Sequence, residues 1–485
     1  MQAINQTDSS IVLNRARQDP EWWVRTVLGQ EPWSKQIEIL ESVRDNRVTA
    51  VKSSHGVGKS FCASLVSLWY LYTHRPSIVL TTAPTDRQVK GILWKEIRVA
   101  HQKAKYPLGG TLLTQELKLD PDWFAWGFTA PDYDPDRFQG FHEVHLLVVA
   151  DEASGISEEI FEGIDGVLTS EHARLLMIGN PTNPSGRFAK SFKSTGISKI
   201  SIPAFDTPNF TQYGITETDI INNTWEEKQT GDIPAPYLVT PRWVADRYKD
   251  WGNASPLYLA KVLAQFPQNS EDTLIPLHLI EAAVDRTLSV SEPNEISVDV
   301  ARFGSDSSII MQRKGSVARI LKTIRKNDTM ELSGEVIVAL RSTGAIIAKI
   351  DSIGVGAGVF DRLNEQEFPV FEMQSGGASS DKERYANARA EWWWNLRDRF
   401  ESGDIDIEDD EELIAQLANI KYKVTSRGQI LIESKDDMKK RGLPSPDKGD
   451  ALMMVFGGNN YIRGPQPDVN EAVGGGGVGG VPKLW

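Results

Sequence analysis

Residues Ser53 to Ser60 read SSHGVGKS, and the apolar run HLLVVA ends in the acidic pair Asp151-Glu152. The first string follows an expected strand and opens an expected helix. In that setting glycines such as Gly56 and Gly58 let the backbone aim amide N–H groups at phosphate oxygens. Ser53, Ser54, His55, Gly56, Val57 and Gly58 would cradle the phosphates of ATP, Lys59 would neutralise the outer two, and Ser60 would set its hydroxyl on Mg2+. One departure stands out, since Ser53 occupies the position of the usual first glycine. The plainer alternative is a glycine turn that happens to precede Lys-Ser. Asp151 can hold the Mg2+ through water, and Glu152 can take a proton from the attacking water, a pairing suited to hydrolysis rather than binding alone. Its alternative is an N-cap pair that starts a surface helix. Trp33 and Gln36, in EPWSKQ, could stack on and hydrogen-bond an adenine, or Trp33 could simply pack at a helix start. Asn180, in GNPT after an apolar run, stands where a γ-phosphate sensor would sit, with a plain turn as the rival.

A second chemistry is spread more widely. Asp299 lies in ISVDVARFGSDSSII, read as two strands joined by a turn at Gly304. Asp351 follows the expected strand Ala345–Ile350, ahead of GVGAG. In SPDKGDALMM, Asp447 and Asp450 are three apart, hence on one face of a helix. Carboxylates at strand and helix ends can converge on two Mg2+ or Mn2+ ions that activate water against a phosphodiester. Each alone reads equally well as a turn or cap residue. Between the second and last acids lies a basic stretch with Lys421, Lys423, Arg427, Lys435, Lys439, Lys440 and Arg441. Arg427-Gly428 reads as a hairpin turn that could lay these side chains along DNA phosphates, the alternative being a solvated charged face. The acid run Asp404 to Glu412 reads as a solvated helix start.

The elements that must position these residues alternate. Strands are expected at Val48–Val51, Ser77–Thr81, His145–Ala150 and Leu175–Ile178, separated by helices, which is the pattern of a parallel α/β sheet. Ahead of them, an apolar stripe through Trp22, Trp23, Val27, Leu28, Ile37, Ile39 and Leu40 reads as helical. A second α/β run has strands at Glu295–Val300, Ser307–Gln312 and Val317–Leu321, with helices at Gly358–Leu363, Ala386–Ser402 and Glu411–Leu417. The expected division is a P-loop ATPase domain with its helical segment over 1–200, a connector over 201–290, an RNase H-like nuclease domain over 291–463 and a flexible tail over 464–485. The chain has 485 residues, 40% of them hydrophobic, with 14 Trp, so sizeable cores are within reach. A net charge of −13 argues against a nucleic-acid coat protein but not against an enzyme whose carboxylates hold metal. One cysteine, Cys62, excludes disulfides and multi-Cys zinc sites, and fits a reducing cytoplasm. No apolar run reaches the roughly 18 residues of a membrane span.

Taken together, the order P-loop, Asp-Glu, Asn-Pro-Thr and then a trio of Asp resembles the large terminase subunit of tailed double-stranded DNA bacteriophages. The phrases FQGFHEVHLLVVADEA and SPDKGDAL carry that resemblance, which covers about residues 20 to 460. It implies an ASCE/RecA-like ATPase with a parallel sheet followed by an RNase H-like nuclease with a mixed sheet. It further implies a homo-oligomeric ring on the procapsid, docked to the portal protein and driving double-stranded DNA inward with ATP, while a small terminase subunit selects the DNA. The nuclease would cut the concatemer. Such a protein works in the host bacterial cytoplasm and is not a virion component. Lys59, Ser60, Asp151 and Glu152 take the family's ATPase roles. Asp299, Asp351 and Asp450 take the nuclease roles, with Asp447 auxiliary. His55 stands where many terminases have Arg in the P-loop, and Gln139 stands where some carry a trans-acting arginine, leaving Arg137 as the nearest candidate. Two rivals remain open: a helicase or repair ATPase with an attached nuclease, and a scaffold with a degenerate ATP site.

Overall fold

The computed structural model describes residues 6–129, 138, 140–141, 143–267, 272–301, 307–325, 328–352 and 354–458. Arg137 and Gln139, the turn at Gly304 and the tail 464–485 lie outside the described residues.

Two sheets carry the fold. The first has eight strands: β1 (Val48–Ser53), β2 (Ile78–Thr82), β3 (Thr111–Leu112), β4 (Glu116–Asp120), β5 (Trp123–Gly127), β6 (Leu146–Asp151), β7 (Arg174–Gly179) and β8 (Ser198–Ile202). Their spatial order is β3-β4-β5-β2-β6-β7-β1-β8, parallel from β5 to β8 and antiparallel only at the β3-β4-β5 edge. Burial explains why these strands read as unbroken apolar runs. Val51, Leu147, Val149 and Ile178 face one core, while Ala50, Leu146, Val148 and Met177 face a second, so both sheet faces are covered. The helix Lys59–Thr73 is buried from Cys62 onward, sealing one of those faces.

β7 lies between β1 and β6. The strand ending in Asp151 is therefore not the direct neighbour of the strand that feeds SSHGVGKS, and the inserted strand delivers Asn180. That insertion is the ASCE form of the P-loop sheet.

The second sheet has five strands: β9 (Asn294–Asp299), β10 (Ser307–Lys314), β11 (Val317–Arg325), β12 (Ala348–Asp351) and β13 (Val370–Met373). Its order is β11-β10-β9-β12-β13. The first three strands are antiparallel, and β12 and β13 run parallel to β9, which is the RNase H-like arrangement. Ile296, Val298 and Ile310 face a core with the helices Thr329–Thr343 and Gly356–Glu365. The alternate residues Ser297 and Asp299 face the helix Asp447–Phe456, and Ser297 donates to the carbonyl of Ala451 at 2.7 Å. At the far end of that helix sits a buried ion cluster. Glu295 pairs with Arg313 and Lys349, each at 2.9 Å, and Lys349 also donates to the carbonyls of Val455 and Gly457. A cation at the C-terminal carbonyls suits the helix dipole and fixes how the helix lies on the sheet.

Between the sheets the chain forms short helices, among them Pro208–Thr211, Pro241–Trp251 and Pro256–Lys261. Each begins with proline, whose missing N–H costs nothing at a first helical position. The proline content of this stretch therefore marks helix starts. The helices Pro241–Trp251 and Leu277–Ala283 pack against the helix Glu411–Asn419, so the segment bridges both sheets. A hairpin of β14 (Tyr422–Val424) and β15 (Ile430–Ile432) turns at Arg427-Gly428 as the sequence indicates, with Gly428 at φ 79°. No helix among the described residues is long and apolar enough to cross a membrane.

Candidate functional site

Tight turning builds the first site. Gly56 and Gly58 have φ of 68° and 80°, the left-handed region, and a Cβ on Gly58 would stand 2.7 Å from the Gln36 side-chain nitrogen. Only glycine fits there. Gln36 and Trp33 hold this loop from the N-terminal side. The Gln36 amide donates to the carbonyl of Gly58 at 3.3 Å and accepts from the Trp33 backbone, while the Trp33 indole donates to the carbonyl of Val57. Both the oxygen and the nitrogen of the Gln36 side-chain amide are thus engaged within the protein.

Beyond the loop, the Ser60 hydroxyl donates to Asp151 at 2.9 Å, and the Lys59 ammonium donates to Asn180 Oδ1 at 3.1 Å and lies 3.6 Å from Glu152. The Asn180 amide also donates to the carbonyl of Ser53 at 2.7 Å, tying the β7 end to the loop. Glu152 sits in the left-handed region at φ 48°, an uncommon conformation for a residue with a side chain. Burial pushes Asp151 up to about 6, with the Glu152 charge adding and Lys59 and the Ser60 hydroxyl opposing. Lys59 only partly offsets the burial of this carboxylate, and a Mg2+ ion held by Ser60 and Asp151 would supply further positive charge. The residues therefore fit Mg-ATP. One contributor has no sequence signal. The Ser154 hydroxyl accepts from the backbones of Thr182 and Asn183 and closes the adjoining loops together.

The second site gathers residues from distant stretches. Asp299 ends β9 and Asp351 ends β12, strands that pair in parallel with Ile350 opposite Val298, so the two carboxylates leave the sheet at the same level. A Cβ on Gly356 would stand 1.8 Å from the Asp351 carbonyl, so GVGAG lets the following helix start against the strand end. Asp447 and Asp450 occupy the first turn of the helix Asp447–Phe456, where the helix dipole favours anions. Asp447 accepts from the Ser307 backbone at 3.1 Å. Asp450 accepts from the Trp393 indole at 3.2 Å and from Arg389 at 3.3 Å.

Lys435 stands among these acids, 3.0 Å from Asp450 and 3.9 Å from Asp447. Burial raises Asp299 well above the usual carboxylate range; Lys435 opposes this, and the charges of Asp450, Asp447 and Asp351 add to it. Asp450 instead stays below its ordinary value, because Arg389 and Lys435 outweigh its burial. The four carboxylates therefore share one electrostatic neighbourhood. Among the described residues, however, no three His, Cys, Asp or Glu side chains close on a common point at ligand geometry. The donor set itself, carboxylate oxygens of the buried Asp299, Asp447 and Asp450 and the half-buried Asp351, fits hard divalent cations.

Arg389 and Trp393 have no signal in the sequence, since a helix face with Arg and Trp four apart has no chemical signature. The basic stretch is divided. Lys435 faces the acids, Lys421 pairs with Asp272 at 2.8 Å, Arg441 with Glu433 at 2.6 Å, and Lys440 with Asp437 at 2.8 Å. Lys423, Arg427 and Lys439 are exposed.

The acid run does start a helix, Glu411–Asn419, capped by Asp410, and Asp404, Asp409 and Glu412 are exposed as expected, but one member departs from the solvated reading. Asp406 is buried at 1% exposure and binds Arg319 at 2.7 Å. Asp404 pairs with Arg399, Asp410 and Glu412 both hold Lys448, and Glu411 holds Arg247. The buried Asp406 is tolerated because it is paired with Arg319, and the remaining acids meet cations that arrive from several other segments.

No family model matches the chain. It is 26% identical over 494 residues to the probable terminase, large subunit, of Enterobacteria phage P7, covering 93% of this chain and 95% of that protein. That likeness bears out the resemblance drawn from the sequence. Among solved structures, the large terminase of bacteriophage HK97 is 11% identical, covering 91% of this chain and 99% of that chain, with a TM-score of 0.35. The nuclease domain of the large terminase subunit of bacterial virus Sf6 is 22% identical, covering 39% of this chain and 99% of that chain, also with a TM-score of 0.35.

Proposed function

We propose that this chain, similar over nearly its whole length to a large terminase subunit, packages double-stranded viral DNA with ATP and cuts it with a metal-dependent nuclease. The observation that carries the reading is the pairing of two chemistries on two sheets. Lys59, Ser60, Asp151, Glu152 and Asn180 meet at one sheet's strand ends, and Asp299 and Asp351 at the other's strand ends share a neighbourhood with Asp447 and Asp450 in a helix's first turn. In the first, Lys59 neutralises phosphate charge as it develops, and Glu152 takes the proton of the attacking water. In the second, Asp299, Asp351 and Asp450, with Asp447 beside them, would hold Mg2+ or Mn2+, which would supply activated water and stabilise the leaving oxygen. Exposed Lys423, Arg427 and Lys439 offer phosphate contacts near that site.

The segregation of β1–β8 and β9–β13 supports a division into ATPase, connector and nuclease, with the first sheet running through β8 to Ile202, just past the expected boundary at 200. A ring of copies docked to a portal on the procapsid, fed by a small terminase subunit in the host cytoplasm, completes the proposal. The helicase reading calls for a second motor sheet, and the mixed strand order of the second sheet favours the nuclease instead. Steady-state ATP turnover with and without double-stranded DNA, together with a strand-separation assay, tests the choice. DNA-stimulated turnover without strand separation is expected, and unwinding would overturn it.

A further inference from the structure

The phosphate loop is not sealed off inside its own sheet. The His55 backbone donates to the carbonyl of Lys261, and the carbonyl of Gly56 accepts from the Val239 backbone, both at 2.8 Å, so the loop is bonded to the segment between the sheets. The His55 ring stacks on Trp243 with centroids 5.7 Å apart and planes 21° apart. Burial lowers that imidazole to about 4, with Lys59 and Lys261 reinforcing the shift, so it stacks as a neutral ring.

Trp243 meets Trp251 edge-on along the helix Pro241–Trp251, and the Arg247 guanidinium lies against both rings, 5.4 Å from the centroid of Trp251 and 5.9 Å from that of Trp243. The same guanidinium is bonded to Glu411 in the first turn of the helix Glu411–Asn419. That helix end then grips the nuclease helix. Lys448 is held by Asp410 at 2.8 Å and Glu412 at 2.7 Å, and Gln416 accepts from the backbone of Gly449 at 3.0 Å. Lys448 and Gly449 are the two residues between Asp447 and Asp450.

We propose that Arg247 and the acidic segment 410–412 are positioning residues for the nuclease carboxylates, and that they carry the state of the phosphate loop to them. The path is contiguous and packed, built of stacked rings, ion pairs and hydrogen bonds, the kind of connected network that can carry coupling between two sites. The ion pair between Arg247 and Glu411 is its narrowest joint, because one guanidinium there connects the aromatic stack to the helix that grips Lys448. The inference rests on the two-activity reading above.

The test uses the full chain. DNA cutting is titrated with Mn2+ without nucleotide, with ADP, and with a non-hydrolysable ATP analogue, for the wild type, Arg247→Gln, Glu411→Gln and Arg247→Lys. In the wild type, nucleotide should move the half-saturating Mn2+ concentration by about fivefold or more, the low end of ordinary linkage between sites. Arg247→Gln and Glu411→Gln should each bring that ratio to about one with little change in the maximal cutting rate. Arg247→Lys, which keeps the charge, should restore part of the ratio. A merely structural role would lower cutting in all conditions and leave the ratio intact. Superimposed wild-type titrations, or a full ratio in both Gln variants with matched thermal melts, would overturn the proposal. Absence of ATP turnover or of cutting in the wild type would sink the functional reading itself, whereas both activities present without linkage would sink only this inference.

Discussion

The two sites are assembled in opposite ways. At the phosphate-loop site, eight consecutive residues supply the loop, and Asp151, Glu152 and Asn180 arrive at the ends of parallel strands already bonded to it. At the carboxylate site, four acids from residues 299 to 450 share one electrostatic neighbourhood, with the cation Lys435 among them. The first arrangement is local and fixed by backbone geometry. The second depends on how a C-terminal helix is laid across a sheet, so it can be disturbed from far away.

That contrast can be broken most sharply at the motor. Glu152→Gln should lower ATP turnover by about 10²–10⁴-fold, the usual reach of a general base, while nucleotide binding and DNA cutting persist. Turnover at the wild-type rate would remove Glu152 from the chemistry. Stability should respond most strongly in the other half. Glu295→Ala leaves Arg313 and Lys349 buried without their carboxylate, which should cost about 3–5 kcal/mol. Denaturant unfolding followed at the tryptophans measures this, and a cost under about 1 kcal/mol would contradict the buried cluster.

Acid should loosen the motor half through its histidines. Burial lowers His74 to about 3, with neighbouring His145 reinforcing the shift. A lowered folded value means the unfolded chain takes the proton first, so stability is complete above the ordinary value near 6.5 and declines as pH falls toward 3. The slope from this residue is at most about 1.4 kcal/mol per pH unit, and His74→Gln should remove about one proton from the pH dependence of the unfolding midpoint. An unchanged dependence would show that the ring is not protected. The smallest effects belong to the exposed cations proposed to meet DNA. Charge removal at Lys423, Arg427 and Lys439 should weaken binding at all sequences and reduce the salt slope by about one for each phosphate no longer neutralised. An unchanged slope would move the DNA elsewhere.

Legibility follows the same division. SSHGVGKS and the acid pair are readable because their chemistry is contiguous, and the strand-end positions of Asp299 and Asp351 follow from apolar runs that stop at an acid. The insertion of β7 between β1 and β6 is not readable, because strand order is decided by packing across the sheet. The helix Thr329–Thr343 is hidden for a local reason. Its EVIVAL run is rich in β-branched residues that favour strands, and it becomes helical through the Asp328 cap and a left-handed Gly344. The helix start in the acid run is legible, but the burial of Asp406 is not, because its partner Arg319 comes from a strand almost ninety positions earlier. Arg389 and Trp393 are invisible there because their partner Asp450 is some sixty positions away, and only the fold brings them to it.

The central claim, that these distant carboxylates form one cutting site separate from the motor, is tested most directly by plasmid digestion with Mg2+ and with Mn2+ for the wild type and Asp299→Asn, with ATP turnover measured on the same preparations. The expected result is metal-dependent cutting by the wild type, none by Asp299→Asn, and equal ATP turnover in both. Cutting by Asp299→Asn at the wild-type rate would contradict the account.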